Sequence, residues 1–358
     1  MFSIVSIFLC GASGIKQKTD GTIILRDEKI NFTPKEFYIV DVADERQDRN
    51  AVASLITINP DHSNGIQKVD LKGGAVVSIK QFITRNLLHD TSLRPVMIIL
   101  KEFKITETKL QNGLVSGRLG IIFSFSLQSG YNTIHLVDYT GGIRYTRPES
   151  KPIDAEEILR HGIEGTLSFF NTWINSNAET NALLAKAVKL RFTDYTETPE
   201  GDTIYYSAKR PLTWADFKDR PRDNHFEAEI FSTIGYTEQN EVINGVIYVN
   251  IAIKVSVAKS DCWVKGGGQD SYILNHEQRH FDIEKIVSEH YKKRLQEMKL
   301  PTDNFYGPIN IEYLEALREA TSMQKQYDAE TRHGQDHTAQ ARWDEKIDKE
   351  LRAFGIKK

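Results

Sequence analysis

Residues 271–284 read SYILNHEQRHFDIE, and His276-Glu277-Gln278-Arg279-His280 within them form an H-E-x-x-H pattern. No other stretch constrains the fold as much, because the pattern works only on a helix. Residues four apart on a helix lie one above the other. His276 and His280 can then turn imidazole nitrogens toward one metal ion, and Glu277 can hold a water beside it. Zinc suits imidazole ligands, and a catalytic site leaves one position for that water. The metal lowers the water's pKa and the glutamate takes its proton.

The neighbouring residues predict one helix over 270–298. At 100° per residue, His280, Ile283, Val287, Ile273 and Tyr291 fall within about 60° of His276. Gln278, Lys285, Glu289, Lys292 and Lys293 fall on the opposite side, and Asp282 is expected to face away with them. The histidines thus occupy the apolar, inward face. The alternative is a pair of core histidines hydrogen-bonded to their neighbours, with Glu277 as a partly exposed partner.

The chain has 358 residues, with 46 Lys+Arg against 49 Asp+Glu and a formal net charge of −3. That length accommodates two domains, each with a core of its own. The near-neutral balance gives no reason to expect nucleic acid or an anionic membrane as partner. Cys10 and Cys262 are the two cysteines. Because Cys10 falls in a leader-like segment, no disulfide framework is expected.

That segment, MFSIVSIFLCGASG at 1–14, is apolar and ends in small residues, with Ala12 and Gly14 at −3 and −1 of a cleavage site. We read 1–19 as a signal segment and expect an exported protein, in the periplasm, the cell envelope or the medium. The segment lacks a positively charged start. Cys10 offers a lipid anchor as another reading, although Leu9 stands where a lipobox prefers a small residue. A buried first strand is the remaining alternative. No run reaches the roughly 18 apolar residues that a membrane-spanning helix requires.

Residues 20–195 read as one α+β domain without an evident ligand. Strands are expected at 37–42, 96–105, 114–127 and 131–145, with Asn112-Gly113 as a turn signal between the second and third. Helices are expected at 76–88, at 153–177 with Ser150 or Asp154 as cap, and after 179. Residues 194–202, DYTETPEGD, read as the linker. Beyond it, 228–236 and 242–257 alternate as strands, with Asn244-Gly245 marking a turn. A sheet placed before a metal-binding helix can hold an extended substrate by edge pairing. Two further helices follow, one from about 310 to His333-Gly334 and one capped by Asp336.

A zinc site of this kind needs a third protein ligand. His333, at the corner between the last two helices, is the first choice. Glu330, Glu284, His337 and His290 are the alternatives. Glu284 shares the metal face one turn on, where a bond to a ligand histidine is the more natural role. A helix-capping histidine, favoured by the helix dipole, is the other reading of His333.

Three motifs occur in order: Leu212-Thr-Trp-Ala-Asp-Phe217, residues 274–283 (LNHEQRHFDI), and residues 327–334 (YDAETRHG) followed by Gln340-x-x-Trp343. Together, over about 205–355, they resemble the secreted zinc-dependent proteases of bacteria, a family carried as a domain of unknown function. The resemblance implies an exported zinc hydrolase with His276 and His280 as ligands and Glu277 as base, and it singles out the segment holding His333. It does not reach 20–195.

The expected class is therefore α+β. An N-terminal α+β domain (20–195) precedes a zincin-like domain (196–358) with a small antiparallel sheet, the H-E-x-x-H helix and two C-terminal helices. The expected activity is a zinc-dependent metallopeptidase with one zinc per chain, acting on a peptide or protein. Tyr327, on an inward helical stripe, is the candidate for stabilising the oxyanion. The rival expectations are a cell-envelope binding protein with a structural zinc and an amidase acting on envelope polymers.

Overall fold

The computed structural model describes residues 3–6, 21–58, 64–129, 132–196, 201–267 and 269–356. Cys10 and most of the leader-like segment lie outside them. The architecture mixes helices and sheets, compatible with the expected α+β class. The chain divides into two compact units, Met1–Ala178 and Glu179–Lys358.

The first unit contains β1 (Ser3–Ser6), β2 (Thr22–Ile23), β3 (Phe37–Asp44), β4 (Ala53–Ile58), β5 (Asn64–Leu71), α1 (Ala75–Asn86), β6 (Arg94–Lys109), β7 (Leu114–Ser129), β8 (Asn132–Pro148) and α2 (Ala155–Asn177). Its sheet runs β1-β8-β7-β6-β4-β5-β2, with β3 also paired to β6. The β6–β7 hairpin turns through Asn112 and Gly113, both left-handed at φ 64° and 71°. Two such residues give the turn whose twist matches that of the strands. Asp154 caps α2 by accepting from the Glu157 N–H. Phe170 of α2 stacks on Phe125 of β7 at 4.1 Å and meets Phe37 edge-on at 4.8 Å, so helix and sheet share an aromatic core.

The second unit contains β9 (Ala187–Asp194), β10 (Thr203–Tyr205), β11 (Ala228–Glu229), β12 (Ser232–Ile243), β13 (Val246–Ala258), β14 (Trp263–Val264), α3 (Ser271–Glu297), α4 (Tyr306–Thr331) and α5 (His337–Ala353). β13 lies at the centre of its sheet, antiparallel to β12 and β10 and parallel to β9. Its alternate residues Ile247, Val249, Ile251, Ile253, Val255 and Val257 are buried in one cluster with Phe281, Val287, Tyr291 and Leu295 of α3. A second cluster joins Ile283 and Ile286 of α3 to Tyr327 of α4 and Trp343, Ile347 and Leu351 of α5. The sheet and both C-terminal helices therefore enclose α3.

Five expectations change. The stretch after 179 forms a single 3-10 turn at Ala182–Leu184 and then β9, not a longer helix, and the division falls at 178/179 instead of at 195. β9 makes the sheet mixed instead of purely antiparallel. The run 228–236 breaks at Ile230 and Phe231 into β11 and β12. Asp282 does not face away; it is fully buried, accepting from Tyr206 Oη at 2.8 Å and from Arg279 at 3.0 Å.

Candidate metal centre

Asp270 starts α3, its carboxylate accepting from the N–H groups of Tyr272 and Ile273. One and a half turns on, His276 and His280 face α4. Their Nε2 atoms lie 3.5 and 3.1 Å from the same atom, Asp328 Oδ1. One ligand atom from each of these three residues lies within 4.8 Å of the others.

The hydrogen bonds on the far sides of the two rings decide what this convergence means. Gln340 Nε2 faces the Asp344 carboxylate at 2.9 Å, which can only accept, so its Oε1 is the atom 3.0 Å from His276 Nδ1. Gln324 Nε2 bonds the His280 carbonyl at 2.9 Å, so its Oε1 faces His280 Nδ1. Each Nδ1 is therefore the N–H, and each Nε2 carries its lone pair toward a carboxylate oxygen. Asp328 Oδ1 is buried and receives no well-directed hydrogen bond. Two lone pairs and an anionic oxygen facing one another repel unless a proton or a cation lies between them. Burial disfavours a charged His280, but the Asp328 carboxylate outweighs it and raises the pKa to about 9. Burial likewise works against the charge on Asp328, and the two histidines nonetheless hold its pKa well below the usual carboxylate range. A metal cation would take the place of that proton. Amide oxygens orienting both imidazoles are the outer support such ligands use.

Glu277 points from the same turn into the space between α3 and the β11–β12 connection. It is 4% exposed, and its Oε2 accepts from the Ile230 N–H at 3.0 Å. Burial raises its pKa, more than the neighbouring histidines lower it. That favours proton uptake, as a general base requires.

These groups line a cleft of about 670 Å³. One wall is the segment 225–232, and the other is built from α3, α4 and the α4–α5 turn. Asp270 and Glu284 mark its ends along α3. Fourteen residues of helix rise about 21 Å, the length of roughly six extended residues.

The structure brings together His276, Glu277 and His280 and adds Asp328, which sequence reasoning missed. His333 does not join the three-atom group. It lies beside it, Nδ1 3.5 Å from Asp328 Oδ1, with 44% of its side chain exposed. Tyr327 is fully buried beneath the site and does not line the cleft. Its hydroxyl bonds Gln340 and its ring stacks on His276 at 4.8 Å, so it braces the His276 ring from below the cleft.

The other candidates do not join the three-atom group, although Glu284 and His337 line the cleft. Glu330 accepts from Trp343 Nε1, and His337 stacks on Tyr272. His290 sits between Glu319 and Glu350. Glu284 lines the cleft and accepts from Gln324 Nε2 at 3.2 Å; burial pushes its pKa up to about 7. The sequence sign of Asp328 was its place in the motif at 327–334, which carries no spacing rule to the histidines.

The remaining motif residues also converge here. The Leu212 N–H donates to Gln278 Oε1 at 2.8 Å, and Thr213 and Asp216 form a reciprocal cap that Arg210 grips. Arg279 forks between Asp282, Asp344 and Asp348, pinning α5 to α3.

Among the described residues no helix is long and apolar enough to cross a membrane. No family model matches this sequence, and no curated protein matches it. Three chains of known structure match. One is a Xanthomonas campestris protein of the DUF330 family, 9% identical, with a TM-score of 0.27 over 44% of this chain and 97% of that one; a likeness so slight carries no argument about fold or function.

Proposed function

We propose that this protein is a zinc-dependent metallohydrolase that cleaves peptide bonds, with His276, His280 and Asp328 as ligands and Glu277 as general base. The second unit is on this reading zincin-like: a sheet, an H-E-x-x-H helix, and a ligand returned from a later helix. The observation that carries it is the convergence of His276 Nε2 and His280 Nε2 on one buried carboxylate oxygen, Asp328 Oδ1, in the wall of a cleft. Two imidazoles and one carboxylate are a set found in catalytic zinc sites, which keep a position open.

Zinc held there would supply a Lewis acid that acidifies water at the cleft wall. The chain's own residues do the rest. Gln340 and Gln324 fix the ring planes and tautomers of the ligands. The Ile230 N–H holds one carboxylate oxygen of Glu277, leaving the other to take a proton and pass it to the leaving amine. The cleft admits a short extended segment of substrate.

The same donors suit iron(II), but Glu277 beside them favours hydrolysis over oxygen chemistry. A structural zinc would saturate its ligands, whereas this group sits in a cleft wall. Export to the cell envelope or medium remains part of the proposal.

The test is metal analysis of purified protein beside Glu277→Gln, with cleavage of an unfolded protein as assay. One zinc in both, with cleavage by the wild type alone, is expected. Iron in place of zinc, or full activity in Glu277→Gln, would sink the assignment.

A further inference from the structure

The turn that joins α4 to α5 is strained where it meets the cleft. Arg332, His333 and Gly334 are all left-handed, at φ 50°, 53° and 79°. Non-glycine residues rarely adopt that region, and two in succession persist only where the surroundings enforce them. Here they do. The His333 N–H donates to the Asp328 carbonyl at 2.8 Å, the Asp336 N–H to the Thr331 carbonyl at 2.8 Å, and Tyr272 Oη to the Gly334 carbonyl. A Cβ on Gly334 would come within 3.3 Å of the His276 ring. The turn is thus pressed onto a ligand ring, and its outcome is to present one side chain. The His333 imidazole lines the cleft with its Nδ1 3.5 Å from Asp328 Oδ1 and its ring 4.5 Å from Phe226 on the opposite wall.

We propose that His333 is a catalytic residue, the hydrogen-bond donor that stabilises the oxyanion formed as the scissile carbonyl turns tetrahedral. This rests on the hydrolase reading above. Three features separate the role from that of a ligand. His333 lies outside the group whose donor atoms are mutually within 4.8 Å. Its side chain is 44% exposed, against 7% and 14% for His276 and His280. Its backbone belongs to a turn, whereas the three others sit on helices. Tyr327, the donor expected for this role from the sequence, is sealed below them. An imidazole N–H held at the cleft wall strengthens its bond as negative charge develops on the carbonyl oxygen, which is where a donor accelerates the reaction.

The experiment loads the full chain with cobalt(II), whose visible spectrum reports the ligand set, and titrates it with inorganic phosphate as a tetrahedral oxyanion. The variants are His333→Asn, which tolerates a left-handed backbone, and His333→Gly, which relaxes it. The expected result is an unchanged spectrum, cobalt affinity within about threefold of wild type, and phosphate binding weakened about tenfold or more in both. A changed spectrum, or cobalt affinity reduced far beyond threefold, makes His333 a ligand and overturns the proposal. So does phosphate binding equal to wild type, or a cobalt-loaded wild type that binds no phosphate. A wild type that takes up no cobalt overturns the metal reading itself, and this proposal with it.

Discussion

The long helices α2 and α3 show how differently the two units use burial. α2 turns Ile163, Leu167, Phe170 and Ile174 to a sheet and keeps its buried charges, Glu156 and Arg160, in its first two turns. α3 buries His276, Glu277, Arg279, Asp282, Glu284 and Lys285 within ten residues of its middle. Removing such groups from water is unfavourable unless each finds a partner. The sheet, α4 and α5 supply those partners. In α2 burial mainly builds stability; in α3 it orients side chains. Among the described residues, Glu284 Oε2 and Asp328 Oδ1 are the buried oxygens in the cleft wall that lack a hydrogen bond; Asp328 is a proposed ligand, and Glu284 lies at one end of the cleft.

The largest effect should come from Glu277→Gln, which is isosteric and leaves the three proposed ligands in place. Hydrolysis should fall about 10²- to 10⁴-fold with zinc content unchanged. A fall in zinc instead would make Glu277 a structural group, like the buried charges of α2.

Phe170→Ala probes the other side of the contrast. It empties the aromatic core of the first unit and should reduce stability by about 3–5 kcal/mol in denaturant titration. The folded protein should still bind one zinc.

Gln340→Ala removes the acceptor that fixes the His276 tautomer. Zinc affinity should weaken about 10- to 100-fold by chelator competition. An unchanged affinity would mean that α5 braces the helix without tuning the ligand.

The smallest effect belongs to His290, which bridges Glu319 of α4 and Glu350 of α5. The Glu319 bond raises its pKa, as does Glu350, against the opposing effect of burial. Its contribution is complete below the unfolded value of about 6.5 and is lost as pH rises through the higher folded value. His290→Gln should therefore lower stability by less than about 1 kcal/mol at pH 6. At pH 9 it should change little. Equal losses at both pH values would make the bridge a packing contact.

The legible parts of the sequence were those set by local chemistry. Asn112-Gly113 and Asn244-Gly245 mark their turns because few other residues tolerate a left-handed backbone, and Asp154, Asp270 and Asp336 mark helix starts because their side chains accept the first free N–H groups. H-E-x-x-H gave its face because four residues make one turn. What stayed hidden depends on neighbours far along the chain. The helical wheel assumed that α3 has one buried side, and Asp282 sits on the other, against Tyr206. Asp328 lies 48 residues beyond His280, and no spacing rule links them. His333 drew attention by its place at the corner between two helices, but its turn holds it beside the three-atom group and outside it. β9 read as a helix because the residues of β13 that pair with it lie 59 positions later in the chain.

A cation held by His276, His280 and Asp328 is the centre of the proposed chemistry, so the decisive measurement is zinc stoichiometry and affinity for the wild type and Asp328→Ala side by side. One zinc per chain in the wild type, lost or weakened by more than about 100-fold in Asp328→Ala, is the predicted result. A metal-replete wild type without zinc, or an Asp328→Ala protein that binds zinc as tightly as the wild type, would contradict it.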